Sequence, residues 1–225
     1  MLAACCPAAP AIAEVGASVS VLNDDFFRGR SLSQGRPILT ADLSYDDLSG
    51  FYVGGSVTGT AARDAGTKLL GFGGYAGYAH RTGSGITLDA GITNTRYTRW
   101  YSGGKATDYT EFYAGIVTNH LSSHIRYSPD YLETGEASLY TDLDGVLRPA
   151  DRWRLNGHIG LLVQASGPDL PHKPRTRFDW RIGVSREIGH LNLQLGWAGA
   201  TPGKNYYADK PHNRSSLLIG ATFVL

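Results

Sequence analysis

Residue alternation with a period of two, strictly alternating short and long connections, and abundant glycine and tyrosine predict an all-β fold. The predicted architecture is a closed antiparallel transmembrane barrel of about twelve strands, the even count typical of single-chain bacterial barrels. The 225 residues include 29 Gly, 13 Tyr and 4 Trp but only 1 Met, a composition that suits many twisted strands and not a helical bundle. Charged residues make up 18%, below the roughly 25% of soluble globular chains. No window approaches the roughly 18 apolar residues of a spanning helix, so any membrane crossing falls to strands. The formal net charge of +1 argues against nucleic acid as a partner, which would want a basic face.

Residues 1–13, MLAACCPAAPAIA, are small, apolar and uncharged. Ala11-Ile12-Ala13 is an A-x-A cleavage pattern, which makes 1–13 the remnant of a signal peptide and Glu14 the first mature residue. Its positive n-region is missing, consistent with a start codon placed late or a trimmed chain. Leu2-Ala3-Ala4-Cys5 also matches the end of a lipoprotein signal, with Cys5 lipidated. The A-x-A reading fits better, because the strand pattern begins directly after Glu14. It leaves no mature cysteine, and hence no disulfide framework. Residues 14–225 then form one barrel domain exported to the cell outer membrane.

The strands follow in order. Val15–Leu22 opens the series. In Pro37–Asp46, Leu39, Ala41, Leu43 and Tyr45 oppose Thr40, Asp42, Ser44 and Asp46. Phe51–Gly59 and Leu69–His80 are weaker, the second rich in glycine at Gly71, Gly73, Gly74 and Gly77; a glycine cluster inside a strand favours sharp curvature or close packing over a phosphate loop. Ile86–Thr95 sets Ile86, Leu88, Ala90 and Ile92 against Thr87, Asp89 and Thr93. Asp108–Val117, Leu121–Tyr127 and Gly135–Leu147 follow. Trp153–Gln164, the run through Phe178, Trp180, Ile182 and Val184, the run from Leu191 to Trp197, and Ser216–Leu225 complete the set. Most approach the roughly ten residues a tilted strand needs to cross a bilayer.

The connections carry the most specific information. Long and short segments pair off as Asn23–Arg36 with Asp47–Gly50, Thr60–Lys68 with Arg81–Gly85, and Thr98–Thr107 with Thr118–His120. Ser128–Thr134 pairs with Arg148–Arg152, and Ala165–Thr176 with Ile188–His190, before the final long Thr201–Arg214. Outer-membrane barrels have this asymmetry, with short turns to the periplasm and longer loops outward. In hydrocarbon every backbone polar group needs an internal partner, so such a sheet must close. Trp100, Trp153, Phe178, Trp180 and Trp197 fall near run ends, where interfacial aromatic girdles sit.

The inward faces then define the candidate pore-lining residues: Asp42, Asp46, Asp89, Glu111, Asp142, Asp144 and Asp179, with Arg126, Arg154, Arg181, His124 and His158. The acidic excess points to cation preference. The first loop crowds Arg28, Arg30 and Arg36 beside Asp24, Asp25, Phe26 and Phe27. It either folds inward as a constriction facing lumen carboxylates or packs on the rim. Asn119–His124, NHLSSH, is the one cluster with catalytic residue types, but Ser122 and His124 are same-face strand neighbours beside a short turn, a poor triad geometry. His172, flanked by Lys173, has no second ligand at metal spacing.

Asp25–Pro37 reads DFFRGRSLSQGRP, Ser49–Val57 reads SGFYVGGSV, and Arg126–Tyr131 reads RYSPDY ahead of a strand with Tyr140 at its centre. These stretches resemble the TorF-like porin family, most densely at Phe27-Arg28-Gly29 and Tyr127–Tyr131, across nearly all of the mature chain. The resemblance implies an outer-membrane barrel and a pore; it brings no catalytic residues. One departure is the ending Phe223-Val224-Leu225, since such barrels usually end on the aromatic read by the assembly machinery.

The expected function is therefore passive diffusion of small hydrophilic solutes or ions, with no enzymatic activity and no cofactor. The expected partners are outer-membrane lipid, the permeating solutes and the barrel-assembly machinery acting on the C-terminal strand. Nothing marks an oligomeric interface. The alternatives are a plugged barrel acting as a surface receptor, a lipid-modifying barrel enzyme, and a soluble carrier with an apolar interior.

Overall fold

The computed structural model describes residues 14–62, 66–98, 106–167, 175–201 and 215–225. The signal-peptide assignment at 1–13, Trp100 of the aromatic girdle and His172 lie outside them.

Twelve antiparallel strands close into one barrel, each paired with its neighbours in sequence and the first with the last. They are β1 (Glu14–Leu22), β4 (Ile38–Asp46), β5 (Phe51–Ala62), β6 (Gly66–Arg81), β7 (Thr87–Tyr97) and β8 (Thr107–Val117). The remainder are β9 (Leu121–Ser128), β10 (Ser138–Ala150), β11 (Trp153–Gln164), β12 (Thr176–Ile188), β13 (Leu191–Ala200) and β14 (Ser215–Val224). Between β1 and β4 the first loop carries a small hairpin, β2 (Phe26–Phe27) with β3 (Arg30–Ser31). Closure is made by β1 on β14, from Ser18 opposite Val224 to Leu22 opposite Gly220.

The alternation read from the sequence is the in–out alternation of the wall. Leu43 is 60% exposed and Ile182 62%, whereas Asp179 on the inner face is 3% exposed. This polarity inverts that of a soluble barrel, so the soluble-carrier alternative is corrected: the interior is polar and the exterior apolar. Trp153, Phe178 and Trp197 face outward as girdle positions, and Trp180 packs edge-on against Trp197.

Several boundaries differ from the sequence reading. β6 extends to Gly66 and Arg81, and β5 runs on to Ala62, past a register irregularity between Thr58 and Gly59. β10 starts at Ser138 instead of Gly135, because a short 3-10 turn at Tyr131–Glu133 uses the preceding residues. That loop is closed by the Tyr131 N–H donating to the Glu136 carbonyl at 3.0 Å. At the opposite rim the turns are tight: the Ser49 hydroxyl and N–H both donate to Asp47, which holds its carboxyl below the usual carboxylate range.

Candidate functional site in the barrel lumen

The first loop enters the barrel. Asp24 organises it, with its Oδ1 accepting from Ser31 Oγ at 2.5 Å, Ser33 Oγ at 2.8 Å and the Gly35 N–H at 3.2 Å. Asn23 ties its root to β14, donating from Nδ2 to the Leu217 carbonyl and accepting the Ile219 N–H. The hairpin tip is Arg28-Gly29, both at positive φ (45° and 73°), as a two-residue turn of type I′ requires. Leu32 is buried with Ile38, Leu70, Tyr97 and Tyr109, and Leu22, Phe27, Tyr131 and Leu132 pack around them. This apolar cluster seats the loop inside the long-loop mouth.

The seated tip spans the lumen. Arg28 makes a bidentate pair with Glu111 of β8, Nη1 to Oε1 and Nη2 to Oε2 both at 2.8 Å. The two side chains are 5% and 4% exposed. The guanidinium lies 4.0 Å from the Tyr140 ring centre, 4.8 Å from Phe27 and 5.5 Å from Tyr131. Burial works against the Arg28 charge, but Tyr131 and Glu111 more than offset it and raise its pKa well above the ordinary arginine value. On the other side, Gly29 lies so close to Ala200 of β13 and Asp179 of β12 that any Cβ there would collide with them. One hairpin tip therefore touches β8, β10, β12 and β13. Arg30 in β3 and Arg36 at the loop's end are also engaged by neighbouring groups.

Below the loop, most of the other candidates form two clusters on the inner face. His124 sits between two carboxylates, Nδ1 3.3 Å from Asp142 Oδ1 and Nε2 3.4 Å from Asp89 Oδ2. Arg126 adds a contact from Nε to Asp142 Oδ2 at 3.2 Å, and Tyr52 bonds both Asp89 and Tyr113. His158 is held likewise, Nδ1 2.8 Å from Asp144 Oδ1 and Nε2 3.1 Å from Asp179 Oδ1, with the Tyr140 hydroxyl donating to Asp179 at 3.3 Å. An imidazole donates to two carboxylates at once only as the cation, with a proton on each nitrogen. The His124 nitrogens both point at carboxylates, so neither is directed at Ser122 or Ser123. Ser123 instead donates to the Asp142 carbonyl.

The remaining candidates lie apart. Arg154 pairs with Glu187 at 2.8 Å. Asp42 accepts from Ser18 Oγ at 3.4 Å, and Asp46 stands exposed at the short-turn end of β4. Arg181, on the inner face of β12, has no hydrogen bond or ion pair among the described residues. The sequence reading missed Tyr52, Tyr113 and Glu187, although each shares the in-facing parity of a residue that it did select.

The lumen aromatics lie flat. Tyr75 covers Gly54, Tyr52 covers Gly77, Tyr113 covers Gly91, His124 covers Gly115 and Tyr140 covers Gly160, each so closely that a Cβ on the glycine would strike the ring. These rings therefore rest against the wall instead of projecting towards the barrel axis.

Comparison with known proteins agrees with this architecture. A family profile described as "Bacterial protein of unknown function (Gcw_chp)" matches residues 6–224. No curated protein matches by sequence. Among solved structures, the NanC porin superposes with a TM-score of 0.65 at 11% identity, covering 93% of this chain and 100% of that one. The KdgM porin gives 0.55 at 11% identity, covering 92% and 98%. At such identities the likeness establishes a shared fold.

Proposed function

The chain belongs to the Gcw_chp family, bacterial proteins of unknown function, and on that premise we propose that it is an outer-membrane channel for small hydrophilic solutes or ions, narrowed by its own first loop. The observation that carries this reading is the buried Arg28–Glu111 pair, which fixes a loop from the long-loop rim onto the inner wall of a polar-lined barrel. A charged interior is stable only if it is wet or fully paired. An apolar exterior closed without an edge strand suits a lipid environment. The porins that share the fold support the same reading. The residues that resemble the TorF-like porins also meet here, because Arg28 of the FRG stretch stacks over Tyr131 of RYSPDY. Export by a cleaved leader, and assembly through β14, which carries Phe223 outward near its end, belong to the same proposal.

The test is single-channel recording of the refolded chain from Glu14 to Leu225 in a planar bilayer. Discrete steps with a reversal potential in a salt gradient are expected, and deletion of Arg28–Gln34 raises the step size. A second reading follows from the same hairpin touching opposite walls: a barrel plugged at rest whose outer loops bind a surface partner. Heat-modifiable migration without current in either chain would favour that reading and end the channel proposal.

A further inference from the structure

The lumen cations do not all have the same surroundings. Arg28, Arg126 and Arg154 each hold a carboxylate, Glu111, Asp142 and Glu187 respectively. Arg181 holds none among the described residues, and the nearby acids are already engaged. Asp179, two residues earlier on the same face, is taken by His158 and Tyr140. Asp144, in register with His158 opposite Arg181, is taken by that same imidazole.

Arg181 faces an open cleft whose lining, among the described residues, includes Asn156 of β11, Gln194 of β13 and the apolar Leu22, Val184, Leu195 and Leu218, but no carboxylate. Gly183 and Gly196 line it as well, which keeps the wall low around the guanidinium. Among the described residues the Asn156 side chain makes only a long 3.5 Å contact to Ser185 Oγ. Gln194 has no side-chain hydrogen bond among the described residues. Three neighbouring strands thus present a forked cation and two amides with unused donors around one space. A guanidinium is satisfied bidentately by a carboxylate, and adjacent amides suit the hydroxyls of the same small molecule.

We propose that Arg181, Asn156 and Gln194 form a binding subsite in the lumen for a small hydroxy-carboxylate. The subsite deepens the channel reading and rests on it for its role in permeation, where it holds an anionic solute briefly on its way through the barrel. It also revises the weight of the lumen acids. Most of those counted in the sequence are neutralised by a histidine or arginine, whereas Arg181 keeps an uncompensated charge.

The experiment combines calorimetric titration of sodium gluconate into the detergent-refolded full-length barrel with planar-bilayer recordings in the presence of gluconate. The unsubstituted chain is expected to bind gluconate, to show brief current blockades, and to bind the uncharged polyol sorbitol far less. Arg181→Gln should weaken binding about tenfold or more, as expected for one lost charge-assisted contact, and move the reversal potential towards cations. Arg181→Lys, which keeps the charge without the fork, should retain the reversal potential and lose part of the affinity. Asn156→Ala supplies a second variant should Arg181→Gln fail to fold. Binding without current would keep the subsite and overturn the channel. Current with no gluconate binding, equal binding of sorbitol, or a reversal potential unmoved in Arg181→Gln would overturn the subsite and leave the channel standing.

Discussion

Glu111→Gln isolates the contact that seats the first loop. The substitution keeps size and one acceptor but removes the negative charge opposite Arg28, whose side chain is only 5% exposed. Leaving a buried ion without its partner costs about 3–5 kcal/mol. The aromatic faces of Tyr140, Phe27 and Tyr131 remain around the guanidinium, each of order 0.5–2 kcal/mol and already present before the change. They keep the loss near the lower limit, about 3 kcal/mol. At about 1.4 kcal/mol per decade, the equilibrium for loop release rises roughly a hundredfold. In single-channel records this appears as frequent excursions to a larger conductance, rare in the unsubstituted chain. The pair also predicts non-additivity: Arg28→Ala/Glu111→Ala should release the loop no more readily than Glu111→Gln, because no charge is stranded. A Glu111→Gln barrel with the step size and event frequency of the unsubstituted chain would refute the seating argument.

Three further outcomes follow from the wall itself. Gly160→Ala places a methyl against the Tyr140 hydroxyl and Asp179 carboxylate. It should cost about 1–3 kcal/mol by overpacking, read as a lowered urea midpoint for refolding into lipid vesicles, and an unchanged midpoint would mean that Tyr140 does not rest on that glycine. Ile182→Lys puts a charge on a position 62% exposed on the outer face; in a bilayer it should cost about 2–4 kcal/mol in the same titration, whereas a neutral result would place that face in water. Glu187→Gln breaks a pair whose side chains are 28% and 46% exposed, so its effect should stay within about 1 kcal/mol; a larger loss would mean that the Arg154–Glu187 pair is shielded from solvent.

The strands were legible because a wall with one apolar and one polar face imposes a period of two that no neighbouring contact can override. Trp153–Gln164 was read with its observed bounds. The first-loop hairpin was not, because strands of two residues carry no period. The start of β10 was misplaced by the 3-10 turn at Tyr131–Glu133, whose local geometry no alternation announces. The candidate charges lie on the inner face together, as parity requires, but their pairing was hidden. Arg28 meets Glu111 across 83 residues of chain, and only closure of the sheet decides which acids are neutralised. The isolation of Arg181 was invisible for the same reason, since counting charges by face treats every carboxylate as free.

The rings laid over glycines carry an evolutionary consequence. The width of a barrel is ordinarily fixed by its number of strands, so changing the calibre of a passage means adding or removing a hairpin. Here each ring of Tyr52, Tyr75, Tyr113, His124 and Tyr140 lies back only because the glycine beneath it lacks a methyl group. At Gly160 the nearest atoms that an added methyl would meet all belong to the side chains of Tyr140 and Asp179, so a substitution there would tip the Tyr140 ring towards the axis and narrow the passage at one height, with the backbone ladder left in place. At Gly54, Gly77, Gly91 and Gly115 the methyl would also meet a backbone carbonyl of the adjacent strand, so there the aperture changes only if the wall itself moves, whereas at Gly160 it is open to adjustment by one codon.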